Sequence, residues 1–194
     1  MDKNAALESL RKRILAADLP LKNTAKNLVF GKGNPNATIF FIGEAPGNNE
    51  DLQGMPFVGA AGKQLDKLLN LIGLSLDDVY IANILKYRPP ENRNPLPAEM
   101  LLHTPYLVEQ IKIIQPKVII TLGNFATKFV LADFTVEKMK SIGGIVALHG
   151  KAIEKKIDGM QFIVYPVFHP AAVIYRREWY ADLEKDFIQL KNFL

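Results

Sequence analysis

The amino-acid sequence predicts an α/β fold, a three-layer α/β/α sandwich around a short, mostly parallel central sheet of four strands. Two observations lead to this prediction: apolar runs of strand length, and segments of helical periodicity between them. The apolar runs cover residues 37–42, 79–85, 117–122 and 161–168. Such alternation is typical of parallel sheets that carry helices on both faces.

Helices are predicted where apolar residues recur every three or four positions. Residues 4–17 follow this pattern, and a second helix begins after Gly62 and ends at Gly73. A third helix covers residues 97–114, within which Pro105 predicts a kink or an interruption. These segments supply the outer layers of the sandwich.

The second half of the chain continues the alternation. A polar, proline-rich loop covers residues 88–95, and a helix is predicted over 124–131. Residues 145–168 predict a hairpin that turns near Asp158 and Gly159. A final amphipathic helix runs from residue 178 to the end of the chain.

Length and composition favour a single domain over residues 1–194, because 48% of the residues are hydrophobic and two cores would be small. The net charge of +4 is mildly basic, which favours a polyanionic partner. The chain has no cysteine, which excludes disulfides, thiolate nucleophiles and cysteine-held metals. No apolar run is long enough for a membrane span, so we expect a soluble, cytoplasmic protein.

The loop after the first strand is the most informative segment. Residues 43–51 read Gly-Glu-Ala-Pro-Gly-Asn-Asn-Glu-Asp, and residues 54–59 read Gly-Met-Pro-Phe-Val-Gly. Open α/β sheets bind ligands at the carboxyl ends of their strands, where this loop is expected. Its three carboxylates and one aromatic ring are not needed to reverse the chain. The loop therefore predicts half of an active site.

Three further strands also carry candidate site residues at their carboxyl ends. Glu44, Asn83, Gly123 and His169 each lie at or just beyond the carboxyl end of a predicted strand. Parallel strands end at one edge of the sheet, so four separate segments deliver groups to one place.

These residue types suit the cleavage of an N-glycosidic bond. The ring of Phe57 can stack on a planar base, and the amide of Asn83 matches the O4 and N3–H edge of uracil. A neutral imidazole at His169 can donate to a carbonyl oxygen that becomes anionic as the base departs. The Glu44 carboxylate can orient water and stabilise a cationic sugar.

The segment after His169 is suited to extruding a base from a duplex. Apolar wedges unstack base pairs, and Val173, Ile174 or Tyr175 has the required character. Arg176 and Arg177 come next and are suited to holding phosphates.

These motifs together resemble the uracil-DNA glycosylase superfamily, and most closely its family 4. The resemblance covers residues 19–177 and rests on five motifs in order. They are residues 43–47, 56–59, 82–86, 88–93 and 169–177. Each motif alone is weak, but five in order at matching spacing are specific.

The resemblance implies a role for each site residue. Phe57 would stack on uracil, Asn83 would read its edge, His169 would contact O2, and the Glu44 segment would serve the water and the sugar. The remaining pocket residues would be Ala45 and Glu50. The implied activity is removal of uracil from DNA, single- or double-stranded, and we expect a monomer without membrane association.

One family feature is missing from this sequence. Family 4 members usually bind a four-iron four-sulfur cluster through four cysteines, and the aligned positions are Ala16, Leu19, Tyr87 and His103. Two of these are apolar, and Tyr87 and His103 alone cannot hold a cluster. We therefore predict no cluster and no other cofactor, with side-chain packing in its place and Tyr87 and His103 filling space.

Three alternatives stay open at this point. The chain could be a non-catalytic DNA-binding relative, a relative that traps the abasic sugar covalently, or a glycosylase that also accepts hypoxanthine or mismatched thymine. Covalent trapping is disfavoured because residues 86–97 form a short loop without histidine. A nucleotide-binding Rossmann domain is excluded, since no GxGxxG follows the first strand.

Overall fold

A computed structural model describes residues 2–172, 176 and 178–193. Its helices are α1 (Lys3–Ala16), α2 (Asn48–Gln53), α3 (Ala60–Leu71), α4 (Pro97–Ile114), α5 (Gly123–Leu131), α6 (Ile145–Leu148) and α7 (Glu178–Leu190). Its strands are β1 (Lys32–Gly33), β2 (Ile39–Gly43), β3 (Val79–Asn83), β4 (Val118–Leu122), β5 (Ile153–Ile157) and β6 (Met160–Val167).

The strands form one mixed sheet in the order β1-β3-β2-β4-β6-β5. The four inner strands β3, β2, β4 and β6 are parallel, and β1 and β5 pair antiparallel at the two edges. The α/β class and the four parallel strands are therefore confirmed.

The sequence predicted four strands, but the sheet has six, because β1 and β5 add one strand at each edge. β1 has only two residues, too few to give a period-two pattern. β5 is the first arm of the predicted hairpin, which turns through Asp158 and Gly159 with φ of 49° and 79°. Such left-handed pairs match the twist of a hairpin, which explains why this arm stays hydrogen-bonded to β6.

Two local predictions also need correction. Residues 145–148 form α6 and not the start of the hairpin. Residues 48–53 of the predicted loop form α2. Helix α4 is not interrupted at Pro105, which lies on an exposed face, and the alternative of a kink at this residue stays a prediction.

Each face of the sheet covers its own apolar core. Phe40 and Ile42 of β2 point into the core beneath α1, α4 and α5, whereas Ile39 and Phe41 point into the core beneath α3 and α7. Side chains alternate along a strand, so one apolar run serves both layers. Within the described residues, no helix has the length and apolar character of a membrane span.

Candidate active site

A cavity of about 400 Å³ opens at the carboxyl ends of β2, β3 and β6. It lies at the edge of the sheet where the sequence predicts the site, and its volume is in the usual range for small-molecule pockets. Its lining includes all six residues predicted to bind or cleave the substrate: Glu44, Ala45, Glu50, Phe57, Asn83 and His169.

The register of the two central strands brings Glu44 and Asn83 together. Gly43 pairs with Asn83 across β2 and β3, so both strands end at the same level. A Cβ atom on Gly43 would collide with Asn83 Oδ1 and lie 2.9 Å from two ring carbons of Phe57. Glycine is therefore required where the amide of Asn83 and the ring of Phe57 approach the strand.

Phe57 has a left-handed backbone, with φ of 51°, which is uncommon for an aromatic residue. Two contacts hold this conformation. Lys32 Nζ of β1 donates to the carbonyl oxygen of Phe57 at 3.0 Å. Gly62, in the first turn of α3, has no side chain and so leaves room for the same carbonyl. The stacking ring is thus fixed through its main chain.

Glu50 holds the same loop from the other side. Its Oε1 accepts hydrogen bonds from the backbone N–H groups of Val58 and Gly59 at 2.9 and 2.8 Å. The carboxylate therefore lines the cavity and also fixes the turn between α2 and α3.

His169 is held as one neutral tautomer. Its Nδ1 accepts a hydrogen bond from the N–H of Ala171 at 3.1 Å, so the proton is on Nε2. Burial lowers the pKa of His169 to about 4, against the opposing effect of Glu50. The ring lies 5.9 Å from that of Phe57, centroid to centroid, with 29° between their planes. At neutral pH it presents an uncharged N–H donor beside the stacking ring.

Glu44 has the electrostatics of a general base. Burial in the cavity raises the pKa of its carboxyl group above the usual range for glutamate. A raised pKa makes the carboxylate a better proton acceptor.

A buried lysine forms a hydrogen bond with the last residue of strand β3. Lys86 Nζ donates to the main-chain oxygen of Asn83 at 2.8 Å and to Gln110 Oε1 at 2.5 Å. Gln110 in turn donates to the carbonyl of Phe30 at 2.9 Å. Burial lowers the pKa of Lys86 to about 7. This network ties the end of β3 to helix α4.

The four positions aligned with cluster ligands do not fit a metal. Leu19 and Tyr87 are buried, Ala16 is exposed, and the chain has no cysteine. His103 uses both ring nitrogens within the protein: Nδ1 accepts from the N–H of Lys86 at 3.0 Å and Nε2 lies 3.2 Å from the carbonyl oxygen of Pro20. Neither nitrogen has a free lone pair for a metal.

His103 therefore does more than fill space, which corrects the prediction for this residue. It links the segment that follows α1 to the loop that follows β3. Burial lowers the pKa of His103 to about 4, so the neutral form that makes both contacts prevails at neutral pH. No group of three potential metal ligands occurs among the residues that the structure describes.

The predicted DNA-contacting tail is only partly described. Arg176 is exposed, and its guanidinium lies 4.6 Å from the centre of the Trp179 ring, a cation–π contact. The other members of the tail lie outside the described residues: Val173, Ile174, Tyr175 and Arg177.

Sequence reasoning missed the contribution of the loop after β3. Pro89, Asn92 and Arg93 line the cavity, and Arg93 pairs with Glu99 through two hydrogen bonds. Residues 88–93 of this loop are one of the five motifs of the resemblance, and this motif was the sequence signal that the loop borders the site.

Comparison with known proteins agrees with this site. The model of the Uracil DNA glycosylase superfamily matches residues 30–191. A Type-4 uracil-DNA glycosylase of Saccharolobus solfataricus is 47% identical over 170 residues, which are 87% of this chain and 77% of the relative. The Type-4 enzymes of Archaeoglobus fulgidus and Sulfurisphaera tokodaii are 47% and 39% identical, over 86% and 96% of this chain and 82% and 84% of their own. Together with the arrangement of the cavity, these matches show that the chain belongs to the uracil DNA glycosylase superfamily.

Proposed function

We propose that this protein removes uracil from DNA by hydrolysing the N-glycosidic bond and leaves an abasic site. The observation that supports this most strongly is the convergence of Glu44, Phe57, Asn83 and His169 on one cavity. The names of the Type-4 relatives support the same activity.

Base recognition follows from the two groups nearest Gly43. The ring of Phe57 offers a flat apolar face of the size of a pyrimidine. The amide of Asn83 offers a donor for O4 and an acceptor for N3–H of uracil. Cytosine presents the opposite pattern at these two atoms, so an amide whose nitrogen faces O4 and whose oxygen faces N3 favours uracil over the base from which it arises.

Cleavage of the N-glycosidic bond places negative charge on the departing base and positive charge on the sugar, and the protein must stabilise both. When the bond between C1′ and N1 breaks, its electron pair goes to uracil, and the Nε2–H of His169 donates to O2 as that oxygen becomes anionic. Glu44 orients a water molecule and stabilises the cationic sugar. The water oxygen bonds to C1′ as its proton passes to the carboxylate.

We also propose that the base leaves the helix before it is cleaved, since a stacked base cannot enter a cavity at the edge of the sheet. The apolar residues after His169 would unstack it. Ile174→Ala should then slow excision from duplex more than from single-stranded DNA, and equal losses on the two substrates would contradict this role.

The protein is further proposed to work as a cluster-free monomer in the cytoplasm. The contacts of His103 support the first point, because they join the two segments that a cluster would join and occupy its ring nitrogens. Iron at stoichiometric level in the purified protein would contradict the cluster-free state, and a dimer in light scattering would contradict the monomer.

Excision is tested with oligonucleotides that contain one uracil, followed by alkali to break the strand at abasic sites. We expect scission from single-stranded and duplex uracil DNA, and release of free uracil by mass spectrometry. Parallel substrates with hypoxanthine or mismatched thymine define the range of bases. Tight DNA binding without scission would indicate a non-catalytic relative, and a protein–DNA band that resists SDS would indicate covalent trapping.

A further inference from the structure

Arg88 joins the loop after β3 to the first residue of helix α2. Its Nε donates to Asn92 Oδ1 at 2.7 Å, and its Nη1 donates to Asn48 Oδ1 at 3.0 Å. Asn92 itself lines the cavity, and Asn48 follows the lining residue Gly47. The guanidinium is thus held beside a residue that lines the cavity, although the side chain is only half-buried.

The two partners fix the orientation of Arg88 without neutralising it. Both are neutral amides, and among the described residues no Asp or Glu forms an ion pair with Arg88. The neighbouring Arg93 differs, because Glu99 binds it through two oxygens. Of the five N–H groups of Arg88, three donate to none of the residues that the structure describes.

The backbone of the turn that contains Asn92 is strained, and this strain supports a role in binding a ligand. Glu91 and Asn92 are consecutive left-handed residues, with φ of 56° and 55°, and neither is glycine. Strained backbone of this kind is concentrated at sites that bind ligands. The conformation directs the amide of Asn92 toward the guanidinium.

We propose that Arg88 binds a backbone phosphate of the DNA strand that delivers its base to the cavity. This inference rests on the proposed function. The ligand is a phosphodiester because a planar, fully charged guanidinium with free donors is the group that proteins use for phosphate oxygens. The carboxylates of Glu44 and Glu50 line the same cavity and repel a polyanion, so a cation beside the cavity is needed to offset them.

The test measures how binding depends on salt. The probe is an oligonucleotide with a tetrahydrofuran abasic-site analogue, which offers phosphates and no cleavable base. For Arg88→Gln, we expect the slope of log Kd against log [KCl] to fall by about 0.9 on duplex and about 0.7 on single-stranded DNA, the loss of one phosphate contact. Arg88→Lys should keep most of the slope, because it keeps the charge.

Arg11→Gln is the matched control, since Arg11 is an exposed arginine on α1, a helix that does not line the cavity. Its slope should equal that of the wild type. The proposal would be overturned if Arg88→Gln kept the salt dependence of Kd seen in the wild type. It would also be overturned if Arg11→Gln lost as much of that salt dependence as Arg88→Gln. Thermal melting of each variant confirms that the protein measured is folded.

This result can be separated from the outcome of the excision assay. If the wild type releases no uracil but Arg88→Gln still loses slope, the phosphate contact stands and the proposed activity fails. If the wild type releases uracil and the slopes are equal, the activity stands and the role of Arg88 fails.

Discussion

Two titratable residues of the cavity are shifted in opposite directions by the same cause. Burial disfavours the charged form of any group, so it raises the pKa of Glu44 and lowers that of His169 to about 4. At neutral pH the histidine is therefore uncharged, and acidification protonates the Glu44 carboxylate more readily than that of an ordinary glutamate. We therefore expect protonation of Glu44 to control the rate of excision as the pH falls.

We expect excision to fall on acidification as Glu44 is protonated, because a protonated carboxyl group cannot accept a proton from the attacking water. His169 contributes only at lower pH, because its own pKa is near 4. The measurement is the single-turnover rate constant between roughly pH 5 and 8. A change in the rate constant centred near the ordinary histidine pKa of about 6.5, present in the wild type and absent from His169→Asn, would contradict a neutral, buried imidazole.

At the scale of elements, the site depends on contacts between segments that are far apart in the chain. β1 is a two-residue edge strand, yet its Lys32 holds the carbonyl of Phe57 in place. The hydrogen bond also bridges the edge of the sheet and the loop between α2 and α3. Edge strand and stacking ring are therefore one functional unit.

Lys32→Met should reduce excision by about tenfold or more, because the stacking ring loses its fixed position. Lys3→Met is the matched control, since Lys3 Nζ also donates to a main-chain carbonyl, that of Ile114 at 2.8 Å, away from the cavity. Each variant should lose about 1–3 kcal/mol of the free energy of unfolding, measured in denaturant. Equal excision by the two variants would contradict the role of Lys32.

Much of this arrangement could be predicted from sequence, for a physical reason. Glu44, Asn83 and His169 each lie within two residues of the end of an apolar run, so strand ends alone place them at one edge. The contacts of Lys32, Arg88 and the Glu50 carboxylate depend on how distant loops pack, and local patterns carry no such information. α2 was missed because glycines flank its six residues on both sides.

At the scale of the whole molecule, His103 connects two segments that are far apart in the chain. It joins Pro20, after the first helix, to Lys86, after strand β3. The side chain is fully buried and neutral. Because the unfolded chain binds a proton at this histidine below about pH 6.5 and the folded chain does so only near pH 4, stability must fall on acidification between these values.

His103→Gln tests this linkage, since glutamine can accept and donate at similar positions but does not titrate. Between neutral pH and about pH 4, the wild type should lose about 3 kcal/mol more of its free energy of unfolding than the variant. Denaturant unfolding at several pH values measures the difference. Parallel curves for the two proteins would mean that His103 is not buried in its neutral form.

The central claim is that one cavity, with Asn83 as its reader, excises uracil from DNA. The most direct measurement compares single-turnover excision by the wild type, by Asn83→Asp and by Asn36→Asp, an exposed turn residue before the opposite end of β2. We predict that Asn83→Asp is slower by about 10²–10⁴-fold, because a carboxylate replaces the donor to O4, and that Asn36→Asp matches the wild type. Unchanged excision by Asn83→Asp would contradict the account.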